Sequence, residues 1–156
     1  MDEAAFRIKL KQYKDTVYRI AYTYLQNTAD AEDISQETFL KFYLRETPFP
    51  DEGSEKAWLI RVTINHCKSR LRAPWHTRRL PLEELPDTPA FDDPAQRELY
   101  DAVLALPQAY RIVLYLFYYE DMPTREIAAA LHISQNAVTT RLTRAREALR
   151  RAYQED

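Results

Sequence analysis

Glycine is almost absent from this chain: Gly53 is the only one. That excludes a glycine-rich phosphate loop and a dinucleotide-binding fingerprint. It also argues against a β-rich fold, whose tight turns need residues tolerant of positive φ. Cysteine is as scarce, and Cys67 alone can form no internal disulfide. The three histidines, His66, His76 and His132, are scattered. No Cys/His cluster has metal-ligand spacing, so no metal site is expected. No nucleophile–base pair emerges and the carboxylates lie in charged runs, so no catalytic residue, cofactor or enzymatic activity is expected. No stretch approaches the roughly 18 consecutive apolar residues of a membrane span. The opening MDEAAFRIKLKQYKD lacks the charged start and apolar middle of a signal peptide. The expectation is a cytoplasmic protein with no membrane insertion.

What is present suits a helical protein with a real core. The chain has 156 residues, 46% hydrophobic and 29% charged, enough for one ordinary domain or two small ones. Its net charge of −2 hides an uneven distribution. Arg61, Lys68, Arg70, Arg72, Arg78 and Arg79 form one basic block without an acid among them. Arg141, Arg144, Arg146, Arg150 and Arg151 form a second, against Glu147 alone. Acids collect in Asp30, Glu32, Asp33 and Glu37, and again in Glu83, Glu84, Asp87, Asp92 and Asp93. Two basic blocks and two acidic ones suggest two nucleic-acid surfaces, an acidic protein-docking surface and an acidic linker.

Prolines divide the chain. Pro74, Pro81, Pro86, Pro89 and Pro94 mark residues 74–94 as a linker between domains 1–73 and 95–156. About twenty extended residues reach roughly 60–70 Å, so the flanking domains can bind separate sites. Before the linker, Phe6, Leu10, Tyr13, Val17, Ile20 and Tyr24 recur at helical steps. A second helix fits 29–45, with Ala31, Ile34, Phe39 and Phe42 inward, and the run 47–53 breaks it. Ser54 is the expected N-cap of a third helix ending near Arg72. After the linker, helices are expected near 95–104 and from Pro107 to about Tyr119. No strand-like alternation competes, so the expected fold is all-α, as two small helical bundles.

Residues 123–151 read as a helix-turn-helix. Pro123 can open its first helix, and Ile127 and Leu131 form the apolar face. Ser134 caps the second, whose buried stripe is Val138, Leu142, Ala145 and Leu149. The other face offers Gln135, Asn136, Thr139, Thr140, Arg141 and Arg144. Small polar groups near the helix start can read base edges in the major groove, and arginines behind them can neutralise phosphates. Periodicity alone also fits an ordinary helical hairpin with a solvated basic face.

The run LPQAYRIVLYLFYYEDMPTREIAAALHISQNAVTTRLTRAREALRR resembles region four of extracytoplasmic-function (ECF) sigma factors. That resemblance implies a domain that reads the minus-thirty-five promoter element and rests on the polymerase β flap. His132 departs from the family's usual glycine in the turn, and Thr139 from a common lysine. If the turn needs positive φ, histidine bears it better than a β-branched residue would. Upstream, DAEDISQETFLKFY resembles the family's core-binding segment and KAWLIRVTINHCKSRLR its promoter-melting helix. The resemblance therefore spans nearly the whole chain, in order.

It implies roles for the N-terminal residues. Glu32, Asp33, Gln36 and Glu37 share a helix face, which in the family docks on the clamp of the polymerase β′ subunit. By themselves they also fit a solvated face near a helix start, and reversing Asp33 and Glu37 to lysine is expected to leave the fold nearly intact. Asn65, Ser69 and Arg72, flanked by Arg61 and Lys68, match the face that contacts minus-ten DNA, although Ser69 stands where the family usually has Asp. Trp58, Leu59 and Val62 read as core, and Cys67 as a small buried apolar group. The segment 46–54 matches the family's specificity loop, which captures a flipped minus-ten base. Phe49 can stack on that base or pack on its own domain, and both remain open. The implied partners are core RNA polymerase, promoter DNA and, for many members, an anti-sigma protein. The alternative is a stand-alone helix-turn-helix regulator that dimerises through its N-terminal domain. The second basic helix before the linker speaks against it.

Overall fold

The structure is a computed structural model that describes residues 1–72 and 91–154. Its elements are α1 (Glu3–Leu25), α2 (Thr28–Leu44), α3 (Glu52–Arg72), α4 (Pro94–Leu104), α5 (Gln108–Tyr118), α6 (Thr124–Leu131) and α7 (Gln135–Gln154). The described residues are all-helical, with no strand among them. The chain divides into two compact units, Met1–Pro89 and Ala90–Asp156. Residues 73–90, which hold most of the expected linker (74–94) together with Arg78 and Arg79 of the first basic block, lie outside the described residues.

In the first unit α1, α2 and α3 pack on one another pairwise. Tyr13, Val17, Phe39, Phe42 and Leu59 form its core cluster, with Phe6, Leu10, Phe49 and Trp58 packed at its edge. Ile20, Ile34 and Ile64 are also fully buried. Asp2 caps α1, its Oδ1 accepting the Ala5 N–H at 2.7 Å. The corner between α1 and α2 needs only two residues. Gln26 turns left-handed (φ 49°) while its N–H returns to the Tyr22 carbonyl. Asn27 then accepts the Asp30 N–H at 2.9 Å and starts α2.

The start of α3 differs from the expectation. The helix begins at Glu52, before Ser54, because Asp51 is the cap: its Oδ1 accepts the Ser54 N–H at 2.7 Å. A carboxylate at this position also meets the positive helix end. The Asp51 carboxyl is held below its ordinary pKa chiefly by that backbone hydrogen bond.

In the second unit α7 packs on α4, α5 and α6. Tyr100, Val103, Ile112, Leu116, Ile127 and Val138 are among its buried residues. Phe91, inside the expected linker, sets its ring at a tilt 4.9 Å from Tyr100 and 5.4 Å from Tyr119. Asp93 caps α4 through the Ala95 N–H. These last linker residues therefore pack with the second unit. Ser134 caps α7 as expected, its Oγ accepting the Ala137 N–H at 3.1 Å.

Gly53 does not take a left-handed conformation, and the described residues that do are Gln26, Asp121 and His132. A Cβ added to Gly53 would meet only the Asp51 Oδ1, at 3.4 Å, an ordinary contact. Since alanine is the better helix former and stiffens the unfolded chain, Gly53→Ala should stabilise the protein by about 0.5 kcal/mol. Urea denaturation followed by circular dichroism checks this, and a lower midpoint would contradict it.

Candidate nucleic-acid and polymerase interfaces

The exposed arc of α2 has two borders. Glu32 and Gln36 are exposed on the side of α1, beside a groove that includes Phe6, Leu10, Lys14 and Phe39. Asp33 and Glu37 lie on the side of α3, where Arg70 reaches them. The Arg70 guanidinium is 3.2 Å from Asp30 Oδ1, 3.2 Å from Asp33 Oδ2 and 3.2 Å from Glu37 Oε1. Asp30 is 1% exposed and the Arg70 side chain 11%, so this pairing is largely withdrawn from water. Two sequence expectations need correction here. Arg70 is not part of a free basic face. Asp33 and Glu37 are not simply solvated, so reversing them to lysine would set three cations together rather than leave the fold intact.

His66 sits beside the same cluster, with Nδ1 3.5 Å from Glu37 Oε2. Burial, the largest cause, lowers its pKa below the ordinary 6.5; Lys41 and Arg70 push the same way, and Glu37 opposes them. Between the borders of the arc, Leu40 and Leu44 are 59% and 65% exposed. The sequence reading passed over them, although two large apolar residues in water beside acids signal a contact surface.

On α3, Arg61, Asn65, Ser69 and Arg72 are all exposed, at steps of four, four and three, and form one outer stripe. Lys68 is half-buried beside it. Leu59, Val62 and Cys67 are buried on the inner side, as expected, and burial raises the Cys67 thiol far above its usual range.

The segment between α2 and α3 closes over the domain edge. Phe49 is half-buried, its ring 6.1 Å from Phe42 and 5.6 Å from Trp58. Of the two roles left open for Phe49, packing on its own domain is the one seen here. The Arg45 guanidinium lies 4.2 Å from the centre of the Phe49 ring, and its Nε donates to the Thr47 carbonyl at 2.8 Å. Together they border a recess of about 540 Å³ that also takes in Phe42, Glu52 and Glu55. Glu55 is buried, accepting from the Tyr13 hydroxyl at 2.8 Å and pairing with Lys9 at 2.9 Å. Burial, then Glu55, raises the Tyr13 hydroxyl well above its usual pKa.

In the second unit α6 and α7 form the helix-turn-helix. His132 ends α6 at φ 59°, its N–H returning to the Ala128 carbonyl. The turn therefore does demand positive φ. Gln135, Asn136, Thr139, Thr140 and Arg144 are exposed and Arg141 is half-buried. Gln135 Nε2 donates to Thr124 Oγ1 at 2.9 Å and ties α7 to α6. The Thr139 hydroxyl donates back to the Gln135 carbonyl at 3.1 Å. At 3.6 residues per turn, Asn136, Thr140 and Arg144 lie opposite the buried Val138, Leu142 and Ala145. Thr143 is exposed on that side too and was missed. The rest of the basic block is divided: Arg146 Nε donates to the Tyr118 hydroxyl at 2.8 Å, and Arg151 pairs with Glu147.

An exposed polar-basic stripe on each of two helical units, one on a helix-turn-helix, defines the class: a DNA-binding transcription factor. Comparison with known proteins narrows it. The Sigma-70 region 2 family matches residues 10–77 and the Sigma-70, region 4 family matches 96–149. The ECF RNA polymerase sigma factor SigW of Bacillus subtilis (strain 168) is 30% identical over 96% of this chain and 89% of its own. The RNA polymerase sigma-E factor of Streptomyces coelicolor is 32% identical, over 93% of this chain and 84% of its own. The sigma factor RpoE of Bartonella quintana, solved in complex with the anti-sigma factor NepR, shares the fold. It matches with a TM-score of 0.77 at 20% identity, over 97% of this chain and 98% of its own. The chain belongs to the ECF RNA polymerase sigma factors, which direct promoter recognition and transcription initiation. Among the described residues no helix is long and apolar enough to cross a membrane.

Two outcomes follow from the Arg70 cluster. Arg70→Ala leaves Asp30 buried without this cation and should cost about 3–5 kcal/mol. A thermal melt unchanged from wild type would refute it. His66 resists protonation when folded, so the unfolded chain takes up its proton first. Stability should fall as pH drops through about 6.5 towards the lower folded value, and return as pH rises. Urea midpoints between pH 7.5 and 5.5 should slope less in His66→Gln than in wild type.

Proposed function

We propose that the exposed arc of α2 docks on core RNA polymerase, that α3 and the loop before it engage minus-ten DNA, and that α7 reads the minus-thirty-five element. The observation that carries this reading is the separation of surfaces. Acids and exposed leucines lie on α2, while polar-basic stripes lie on α3 and α7. Glu32, Asp33, Gln36 and Glu37 supply charge at the docking face, and Leu40 and Leu44 supply its apolar centre. The partner is the basic clamp of the β′ subunit, with the second unit on the β flap. Arg61, Asn65, Lys68, Ser69 and Arg72 face the minus-ten strand. Phe49 borders a recess with Glu46, Asp51, Glu52 and Glu55 around it, which favours a neutral extruded base over a phosphate. On α7, Asn136, Thr140, Gln135 and Thr139 meet base edges, while Arg141 and Arg144 meet phosphates.

The protein acts in the cytoplasm with the polymerase and performs no chemistry itself. An anti-sigma protein is a further proposed partner, by likeness to RpoE.

Run-off transcription with purified core polymerase tests the assignment. Asn136→Ala should shift the preferred upstream element, at about 1–3 kcal/mol for one base position. Arg144→Ala should weaken all promoters alike and lower the salt dependence. Equal losses from both changes on every promoter would refute this division of labour. Tight, sequence-specific duplex binding by the free protein at physiological salt would instead support a stand-alone regulator.

A further inference from the structure

The segment between α2 and α3 is held by an unusual set of restraints for seven exposed or half-exposed residues. Pro48 and Pro50 fix their own φ and bias Thr47 and Phe49 towards extended backbone. Phe49 is anchored against Phe42 and Trp58. Arg45 then joins both ends of this arrangement. Its backbone ends α2, its N–H returning to the Phe42 carbonyl at 3.2 Å. Its Nε donates to the Thr47 carbonyl at 2.8 Å. Its guanidinium covers Phe49 at 4.2 Å and approaches Trp58 at 5.2 Å. Among the described residues no carboxylate lies within ion-pair distance of it, and this cation meets a carbonyl and two aromatic faces.

We propose that Arg45 is a positioning residue for minus-ten recognition: it holds residues 46–51 over the recess in the conformation that receives a base. The proposal rests on the reading of that loop as the minus-ten contact. The planar guanidinium matters more than the charge. A flat, weakly hydrated cation can cover an aromatic face and donate to a carbonyl at the same time. A lysine ammonium in the same place is a strongly hydrated point charge and would keep at most one of the two contacts. Arg45 thus orders the loop before DNA arrives, so that less ordering cost falls on the binding step.

The test compares full-length Arg45→Lys and Arg45→Ala with wild type and with Phe49→Ala. Amide hydrogen exchange at residues 46, 47, 49, 51 and 52 is measured in the free proteins, with thermal melts as a control for folding. Run-off transcription with core polymerase is measured on promoters differing at one minus-ten base. Both Arg45 variants should melt near wild type and exchange their loop amides about three- to tenfold faster. Their preference among the promoters should narrow by a similar factor. A role in DNA attraction alone would leave Arg45→Lys like wild type in both measurements, and that result overturns the proposal. If Phe49→Ala narrows the preference and the Arg45 variants do not, the loop reads DNA without Arg45 and the proposal again fails. If no variant changes the preference even though the loop opens, the assignment of the loop to the minus-ten element fails, and the proposal with it.

Discussion

From the last turn of α3, Arg70 reaches three carboxylates of α2, and that contact fixes which faces of the two helices turn outward. Asp30 is the buried member, and it needs its cation because an unpaired charge in the interior is costly. Once Arg70 is turned inward to meet it, the stripe formed by Arg61, Asn65, Ser69 and Arg72 faces outward. Asp33 and Glu37 are drawn to the α3 border, and Leu40 and Leu44 are left between them and Glu32. Rotating either helix about its axis would break the pairing. The exposed arc of α2, proposed to dock on the polymerase, and the outer stripe of α3, proposed to meet DNA, are therefore oriented by the same guanidinium.

The helices were legible in the sequence because their apolar residues repeat at the helical period. Val17, Ile34 and Leu59 in one unit, and Ile127, Val138 and Leu142 in the other, are buried where the pattern put them. The second helix of the helix-turn-helix was legible too, from Ser134 and the stripe behind it. What periodicity does not encode is which charges meet across helices. Asp30, Asp33 and Glu37 recur at steps of three and four, a spacing that places them on one stripe. Their partner lies about forty positions along, and nothing local to Arg70 distinguishes it from Lys68 or Arg72. Asp51 was passed over as a cap for a related reason. Several polar residues precede α3, and only the backbone path decides which side chain reaches the free amides. Phe49 sits in a loop, where no repeating pattern indicates a face.

The second unit relies more on aromatic contacts. Tyr100, Tyr115, Tyr119 and Phe91 meet in edge, tilted and stacked arrangements. Their hydroxyls do not go to waste. Tyr115 donates to Glu120 at 2.7 Å and Tyr119 to the Gln96 carbonyl at 2.9 Å. Tyrosine can fill this role because it buries a large ring while its polar tip finds a partner. Arg146 belongs to the same pattern, covering Phe117 and accepting the restraint of Tyr118. It contributes to packing although it lies in a helix otherwise rich in exposed arginines.

Among the described residues, three corners turn left-handed on Gln26, Asp121 and His132 rather than on glycine. Each corner costs roughly 1 kcal/mol in the folded state relative to glycine. The compensation lies in the denatured chain. A residue with a Cβ explores fewer backbone states than glycine when unfolded, and so gives up less freedom on folding, by about 0.4–1 kcal/mol. The two effects nearly cancel at each corner. A chain this poor in glycine can therefore make sharp turns at little net cost, with part of its stability residing in the stiffness of its disordered ensemble rather than in any contact of the native one.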